Sequence, residues 1–404
     1  GNMTNEKILL DEKQEEIVRE ATEKRQNLFY TGYAGTGKSV VLKSIYQTFK
    51  EAYPMKNEVV ICAPTGVAAK LVKGTTLHRF AGMRPISRDE RETKKEYEQR
   101  IYEMIINNKN EAVKRWETVK VLMIDEVSMI DPDLFDAMNG AVQRILGNSK
   151  LMGGVQVILA GDFCQLPPTQ TDKSNKSTKY LFESDIFQRG IPRKQRYMLT
   201  KIYRQKETKN QILIQALNDI RENKWSSSVC QLMEIGMKRA RMENISKNLL
   251  HLFATNKEVE NHNNKHLGTY DECNEEHQYY ERLDYPHIDG GQSKNQEWLR
   301  AQQESSIPSH LFVKVGTPVM LLRNLNDDLI NGSMGKVVDF VSCEKWLKQN
   351  EKTYQPTYFV SYNEREYKEY CNHIVIPRVK FENVSEPVAI GPIEVEQLIN
   401  PQEN

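Results

Sequence analysis

The chain has 404 residues, long enough for two or three domains, and its 27% charged and 39% hydrophobic residues are ordinary for a globular protein. Net charge is +1, so no global basic excess announces nucleic acid, and any such site must be a local groove. The six cysteines (Cys62, Cys164, Cys230, Cys273, Cys343, Cys371) form no C-x-x-C pair, which argues against a disulfide framework or a zinc site, and no run of about 18 apolar residues spans a membrane.

Gly1-Asn2-Met3 reads as a short extension ahead of a start methionine, with no apolar signal region. Leu9-Leu10-Asp11-Glu12-Lys13-Gln14 opens a helix that runs to about Thr22. The Gln14 amide can donate to and accept from an adenine edge, although a surface glutamine on a helix is equally ordinary. Leu28-Phe29-Tyr30 is a short buried strand. It leads into Gly32-Tyr33-Ala34-Gly35-Thr36-Gly37-Lys38-Ser39, which fits G-x-x-x-x-G-K-[ST] at every fixed position. Leu42, Ile45, Tyr46 and Phe49 follow at helical spacing, so the loop sits between strand and helix. Its glycines let backbone N–H groups close around phosphate oxygens at the positive end of that helix. Lys38 is set to reach the outer phosphates and the Ser39 hydroxyl to hold Mg²⁺. An ordinary glycine-rich turn is the bland alternative, and the strand–loop–helix register argues against it. The candidate nucleotide contacts here are Gly32, Ala34, Gly35, Thr36, Gly37, Lys38, Ser39 and Val40.

Val59-Val60-Ile61-Cys62-Ala63 is a second buried strand, ending in Pro64-Thr65-Gly66 and another helix start. Such a start suits an anion such as a DNA phosphate, and a plain strand-to-helix connection explains it equally well. Thr75-Thr76-Leu77-His78-Arg79-Phe80 mixes hydroxyl, basic and aromatic groups useful for holding phosphates and stacking bases. A buried Phe80 packing on the core fits the same residues. From 84 to 119 the chain is rich in charge, with Glu90/Lys94 and Glu96/Arg100 as i,i+4 pairs and a narrow apolar stripe of Tyr97, Ile101, Met104 and Ile105. This predicts a helical insertion that is mostly a solvated face.

Val121-Leu122-Met123-Ile124-Asp125-Glu126 is a third buried strand closed by two carboxylates. Beside a phosphate loop, Asp125 can hold Mg²⁺ and Glu126 can polarise the attacking water. Asp131-Pro132 then starts a helix as N-cap and first residue. Val155 to Asp162 is a fourth strand, running into Phe163-Cys164-Gln165-Leu166-Pro167-Pro168, where the Gln165 amide can contact the γ-phosphate. Four strands with helical connections imply a parallel, doubly wound sheet with its ligand at the strand C-termini.

These strings resemble, in this order, the petite-integration-frequency (Pif) family of DNA helicases, RecD-like members of superfamily one, subgroup B, that move 5′→3′. The resemblance rests on Phe29 to Ser39, on Asp125-Glu126-Val127-Ser128-Met129 and on Gly161-Asp162-Phe163-x-Gln165-Leu166-Pro167-Pro168. Pro64 to Ala69 and Thr76-Leu77-His78-x-Phe80-Ala81-Gly82 resemble that family's DNA-contacting motifs, and Leu10-Asp11-x-x-Gln14 its adenine-contacting one. Leu199-Thr200-x-x-Tyr203-Arg204-Gln205 is similar to the motif whose arginine reaches the γ-phosphate from the second motor domain. Phe253-Ala254-Thr255-Asn256, taken as a strand end, resembles a second-domain DNA contact. Lys314 to Leu325 and Leu329 to Gly335 resemble a late strand pair, and Tyr358–Tyr362 and Ile374–Phe381 alternate like strands of a small barrel. The family's His-Lys-Ser-Gln-Gly stretch and terminal Ala-Leu-Ser-Arg are not found in these residues.

The resemblance implies an α/β fold of tandem RecA-like P-loop domains, with a helical insertion and a small SH3-like β subdomain. The expected division is 1–197 (first motor domain, with 83–119 as insertion), 198–340 (second motor domain, incomplete) and 341–404 (partial β subdomain). It further implies ATP and Mg²⁺ as cofactors and single-stranded and forked or tailed duplex DNA as partners, for a monomer working in genome maintenance. The expected location is the nucleus or mitochondrion of a eukaryote, or the cytoplasm and nucleoid of a bacterium. The expected catalytic residues are Lys38, Glu126, Gln165 and Arg204, the metal ligands Ser39 and Asp125, and the DNA contacts Pro64, Thr65, Gly66, His78, Phe80, Thr255 and Asn256. Two other readings stay open: a DNA- and nucleotide-binding fragment that does not unwind, and a small-molecule phosphoryl-transfer enzyme.

Overall fold

The structure is a computed structural model that describes residues 9–108, 111–168, 179–203, 208–242, 251–267, 277–281, 310–322, 325–326, 328–350 and 372–392. The chain divides into two compact units, 1–249 and 250–404. The first unit opens with α1 (Glu12–Thr22), β1 (Leu28–Gly32), α2 (Lys38–Ala52), β2 (Val59–Ala63), α3 (Gly66–Leu71), β3 (Thr75–Thr76) and α4 (Leu77–Ala81). It continues with α5 (Lys94–Ile106), α6 (Ala112–Thr118), β4 (Val121–Ile124), α7 (Pro132–Leu146) and β5 (Gln156–Ala160). Then come α8 (Asp185–Gly190), β6 (Arg196–Leu199), α9 (Thr208–Arg221) and α10 (Ser227–Ala240).

All six strands pair in parallel, in the order β3-β2-β4-β5-β1-β6. A parallel sheet is covered on both faces, so its strands read as continuous apolar runs that serve two cores in alternation. On β4, Val121 and Met123 face one core while Leu122 and Ile124 face the other. The first core holds Ile17 and Ala21 of α1 with Val41, Leu42, Ile45 and Phe49 of α2. The opposite core draws on α4 through α8. Helix starts are set locally. Asp11 and Gln14 form a capping box at α1, and Asp131 caps α7 by accepting from the Leu134 N–H at 3.0 Å ahead of Pro132.

Several expectations are corrected. The sheet has six strands, not four: β3 has only two residues, and β6 is an edge strand with Met198 exposed, so it lacks the continuous apolar run of the central strands. The charged insertion is largely exposed, as expected, with its apolar residues turned inward. Tyr97, Ile101 and Ile105 of α5 and Trp116 of α6 are buried, and they join the α7 core. Glu96 does not pair with Arg100. It accepts from the Thr93 N–H at 2.7 Å as the capping-box partner, and Arg100 instead forks onto both carboxylate oxygens of Glu92 at 2.9 and 2.7 Å. The boundary at 197/198 cuts through β6, and the two α-helices that follow, α9 and α10, belong to the first unit.

The second unit contains α11 (Asn256–Leu267), β7 (His277–Glu281), β8 (His310–Lys314), β9 (Pro318–Met320) and β10 (Met334–Ser342). It ends with α12 (Cys343–Asn350), β11 (Val375–Phe381) and β12 (Val388–Ala389). β12-β11-β10-β9 is an antiparallel sheet and β7-β8 an antiparallel pair. Val313, Leu329, Val337, Val379 and Phe381 form its core. The expected boundary at 340/341 falls inside β10, which pairs with β9 on one side and β11 on the other. The run before Thr255 is not a strand: residues 251–253 carry no ladder, and the chain turns into α11. Ile374–Phe381 is extended as β11, while Tyr358–Tyr362 lies outside the described residues.

Candidate nucleotide-binding site

The phosphate loop leaves β1 and enters α2. Gly35 (φ 79°) and Gly37 (φ 83°) both take left-handed backbone, and Gly37 is the N-cap of α2. A Cβ at Gly37 would also collide with the Gln14 amide. Four bonds set the loop's shape. Thr36 Oγ1 donates to the Tyr33 carbonyl at 2.7 Å, and Gln14 Nε2 donates to the Thr36 carbonyl at 3.1 Å. The Tyr203 N–H donates to the Gly35 carbonyl at 2.9 Å, and the Ala34 N–H donates to Asn218 Oδ1 at 2.9 Å.

Gln14 is engaged with the phosphate loop in this structure. It is 2% exposed, with Oε1 taken by the Asp11 N–H at 3.0 Å and Nε2 by the loop. The capping box fixes its rotamer, so its amide braces the loop.

Lys38 Nζ donates to the carbonyls of Gly32 (2.7 Å) and Tyr33 (3.2 Å). Burial lowers its proton affinity, and the carboxylates of Asp162, Glu126 and Asp125 oppose that. Ser39 and Val40 are exposed at the start of α2. Asp125 stands at the tip of β4, its Oδ1 accepting from the Glu126 N–H at 2.9 Å. Burial raises the Asp125 carboxyl above the usual range. Glu126 is raised by burial first, then by Asp125 and Asp162, with Lys38 opposing. Its backbone is left-handed at φ 53°. Gly161, at the tip of β5, lies so close that an added Cβ would stand 2.9 Å from the Val127 nitrogen. Gln165 is exposed on the loop after Asp162. Arg204 lies outside the described residues.

Among the described residues no group of three or more His, Cys, Asp or Glu side chains could hold a metal unaided. That donor set suits Mg²⁺, which takes one or two protein oxygens and completes its shell with phosphate and water. Asp125 and Ser39 are the residues that fit it, beside a loop whose amides fit phosphate.

Three further residues were missed by sequence reasoning. Asp162 is 2% exposed and pairs with Arg221, whose Nε donates to Oδ2 at 2.6 Å. Asn218 meets the loop from 184 residues away. The only signal for the last two is their i,i+3 spacing on an amphipathic helix, which does not say what that face meets.

The proposed DNA contacts divide. Ala63 pairs with Thr76, so Pro64–Gly66 and His78 leave neighbouring strand ends. Thr65 Oγ1 caps α3 by accepting from the Ala68 N–H at 3.2 Å. His78 is half-buried, and burial holds its imidazole below the usual range. Phe80 is corrected: it is 3% exposed and packs edge-on against Trp116, with ring centres 5.0 Å apart, so neither face is open to a base. Thr255 and Asn256 are exposed in the second unit, and Thr255 is engaged with Glu258 in a reciprocal cap of α11.

No helix among the described residues is long and apolar enough to cross a membrane. The family profile described as PIF1-like helicase matches residues 9–230, and that of the DNA helicase Pif1 2B domain matches 297–340. The ATP-dependent DNA helicase PIF1 of Saccharomyces cerevisiae is 32% identical over 87% of this chain and 38% of its own length. The S. cerevisiae ATP-dependent DNA helicase RRM3 is 32% identical over 85% of this chain and 44% of its own length. The chain thus spans less than half of these two relatives. The crystal structure of Pif1 helicase from Candida albicans superposes with a TM-score of 0.70 at 30% identity, covering 95% of this chain and 78% of that one. That of a Bacteroides Pif1 helicase in complex with ADP-AlF3 and ssDNA gives 0.57 at 25% identity, covering 82% and 70%. The α/β fold, with its parallel sheet flanked by helices and its small antiparallel sheets, is the fold these structures share. With a profile match over more than half of its residues, the chain belongs to the PIF1-like helicase family.

Proposed function

We infer that this chain is the ATP-driven motor of a 5′→3′ DNA helicase that tracks along single-stranded DNA and opens forked or tailed duplex. One observation carries the reading. The Lys38 ammonium is held in a left-handed glycine loop with Asp125, Glu126 and Asp162 around it. That is the charge arrangement required to bind a nucleoside triphosphate and activate water beside it. The family relatives, named as ATP-dependent DNA helicases, support the same activity.

When bound, Mg·ATP supplies a γ-phosphate whose charge is shielded for attack. Ser39 and Asp125 would hold the ion. Lys38 exchanges the carbonyls of Gly32 and Tyr33 for phosphate oxygens. Glu126 takes the proton from water, and its partly buried carboxyl is a stronger base than an exposed glutamate. Gln165 senses the γ-phosphate, and Arg204 reaches it as an arginine supplied in cis. Pro64, Thr65, Gly66 and His78, with Thr255 and Asn256, contact the DNA strand, and the unit of action is a monomer. In a eukaryotic cell the work lies in the nucleus or mitochondrion, in a bacterium at the nucleoid.

The test is ATP hydrolysis with and without single-stranded DNA, paired with unwinding of a 5′-tailed duplex. Glu126→Gln should retain nucleotide binding and lose about 10²-fold in hydrolysis. A parent chain that binds DNA and nucleotide without DNA-stimulated hydrolysis would be a binding module instead. Hydrolysis indifferent to DNA would favour a small-molecule phosphoryl-transfer enzyme.

A further inference from the structure

Two side chains on α9 grip the nucleotide site, and neither has a part in the chemistry above. Asn218 Oδ1 accepts from the Ala34 N–H at 2.9 Å. Arg221, one turn later, donates from Nε to Asp162 Oδ2 at 2.6 Å, and its guanidinium carbon lies 4.8 Å from the centre of the Tyr33 ring. The i,i+3 spacing puts both on one helix face. One end of a single helix thus touches the phosphate loop at two residues and the tip of β5 at a third.

The Asp162–Arg221 pair is deeply set, with side chains 2% and 15% exposed. A carboxylate at that depth needs a cation or hydrogen-bond donors beside it. Asp162 also has work to do. Its Oδ1 accepts from the Cys164 N–H at 3.0 Å, which shapes the loop that carries Gln165. Of the carboxylates acting on Lys38 it is the strongest. Asp162 therefore stands between two cations, Lys38 of the phosphate loop and Arg221 of α9. Asn218 carries a second mark. It is buried, and its Nδ2 has no hydrogen-bond partner among the described residues. An asparagine kept only for packing does not bear an unpaired buried donor without cost.

We propose that Arg221 and Asn218 are positioning residues for nucleotide hydrolysis, through which α9 holds the phosphate loop and the Gln165 loop in one register. This rests on the reading of the site as an ATP-hydrolysing one. Arg221 touches no reacting atom; it acts through Asp162. With Arg221 gone, an unpaired Asp162 draws the Lys38 ammonium toward itself and away from phosphate. The defect therefore lies in the presence of the acid, and removing the acid as well relieves it.

The experiment uses the full chain and five variants: Arg221→Gln, Arg221→Lys, Asp162→Asn, the double Asp162→Asn/Arg221→Gln, and Asn218→Ala. Affinity is read with a fluorescent ADP, turnover with ATP and single-stranded DNA, and backbone order by amide hydrogen exchange without nucleotide. Arg221→Gln is expected to lose on the order of 10- to 100-fold in turnover while ADP affinity changes little, as misplacement of a catalytic group does. Arg221→Lys should recover part of it, because a cation returns without the guanidinium's contact with the Tyr33 ring. The double variant should turn over faster than Arg221→Gln alone. Asn218→Ala should speed exchange at the Ala34 amide. Parent-like turnover by Arg221→Gln, a loss of ADP affinity equal to its loss of turnover, or a double variant no faster than the single overturns the proposal. If the parent itself hydrolyses no ATP, the functional reading fails, and exchange at Ala34 and Tyr33 decides the positioning pair alone: faster in Asn218→Ala and Arg221→Gln supports it, unchanged overturns it.

Discussion

Replacing Phe80 by alanine separates a packing role from a base-stacking one. The ring is 3% exposed and meets Trp116 edge-on at 5.0 Å, while the Trp116 indole N–H donates to the Ala81 carbonyl at 3.2 Å. Truncation removes roughly 100–150 Å² of buried apolar surface, worth about 2.5–3.8 kcal/mol at ~25 cal/mol per Å². The lost aromatic pair adds about 0.5–1.5 kcal/mol, and α4 and α6, anchored by other bonds, leave part of the cavity open. A total near 3–5 kcal/mol follows, the usual cost of Phe→Ala in a core. Urea unfolding followed by tryptophan fluorescence reads it as a shift in midpoint with unchanged slope. Single-strand DNA affinity is measured by anisotropy well below the melting temperature. It should stay close to the parent value, because no stacked base worth ~1–3 kcal/mol is lost. An unchanged unfolding midpoint together with a tenfold weaker DNA complex would refute the buried assignment.

Gly37→Ala must place a side chain at φ 83° against the Gln14 amide, so Mg·ATP binding should fall sharply with little change in melting temperature, a split visible in parallel titration and melting curves. Gln14→Ala should weaken ADP and GDP alike, because the amide braces the loop at Thr36; a selective loss of the adenine nucleotide in competition binding would restore the base-reading role. His78 is held neutral by burial, below its ordinary value of 6.5. Above that pH neither folded nor unfolded His78 carries a proton. Below it the unfolded chain takes one first, so stability is lost as pH falls from 6.5 toward the lower folded value, and His78→Gln should flatten that limb of a melting-temperature profile. Asp131→Ala removes the α7 cap and should cost about 1 kcal/mol in the same unfolding assay.

What could be read from the sequence was what the chain writes locally. The phosphate loop is eight contiguous residues whose glycines, lysine and flanking apolar runs each have one local reason, and β1, β2, β4 and β5 are long enough to show two alternating cores. β3 has only two residues, and β6 lies at the sheet edge with Met198 exposed, so neither shows such a run. The insertion's stripe of Tyr97, Ile101 and Ile105 was legible as its inward face, but its partners, α7 and Trp116, were not. Phe80 misled for a similar reason: composition does not say whether a ring meets a base or an indole. The Arg221–Asp162 bond spans 59 residues, and either member alone is an unremarkable charge.

Gly161 gives the site the character of gears meshed without backlash. Glu126 sits in a left-handed conformation, which leaves a non-glycine residue few neighbouring states, and the Val127 nitrogen would be 2.9 Å from any Cβ on the facing strand tip. Glu126 has little room to move alone, because Gly161 and Asp162 follow β5 directly beside the turn that carries it. Such a mechanism keeps time well and tolerates wear badly. Gradual retuning by enlarging Gly161 is closed to it, and a lineage that changes this position has to rebuild both strand tips together.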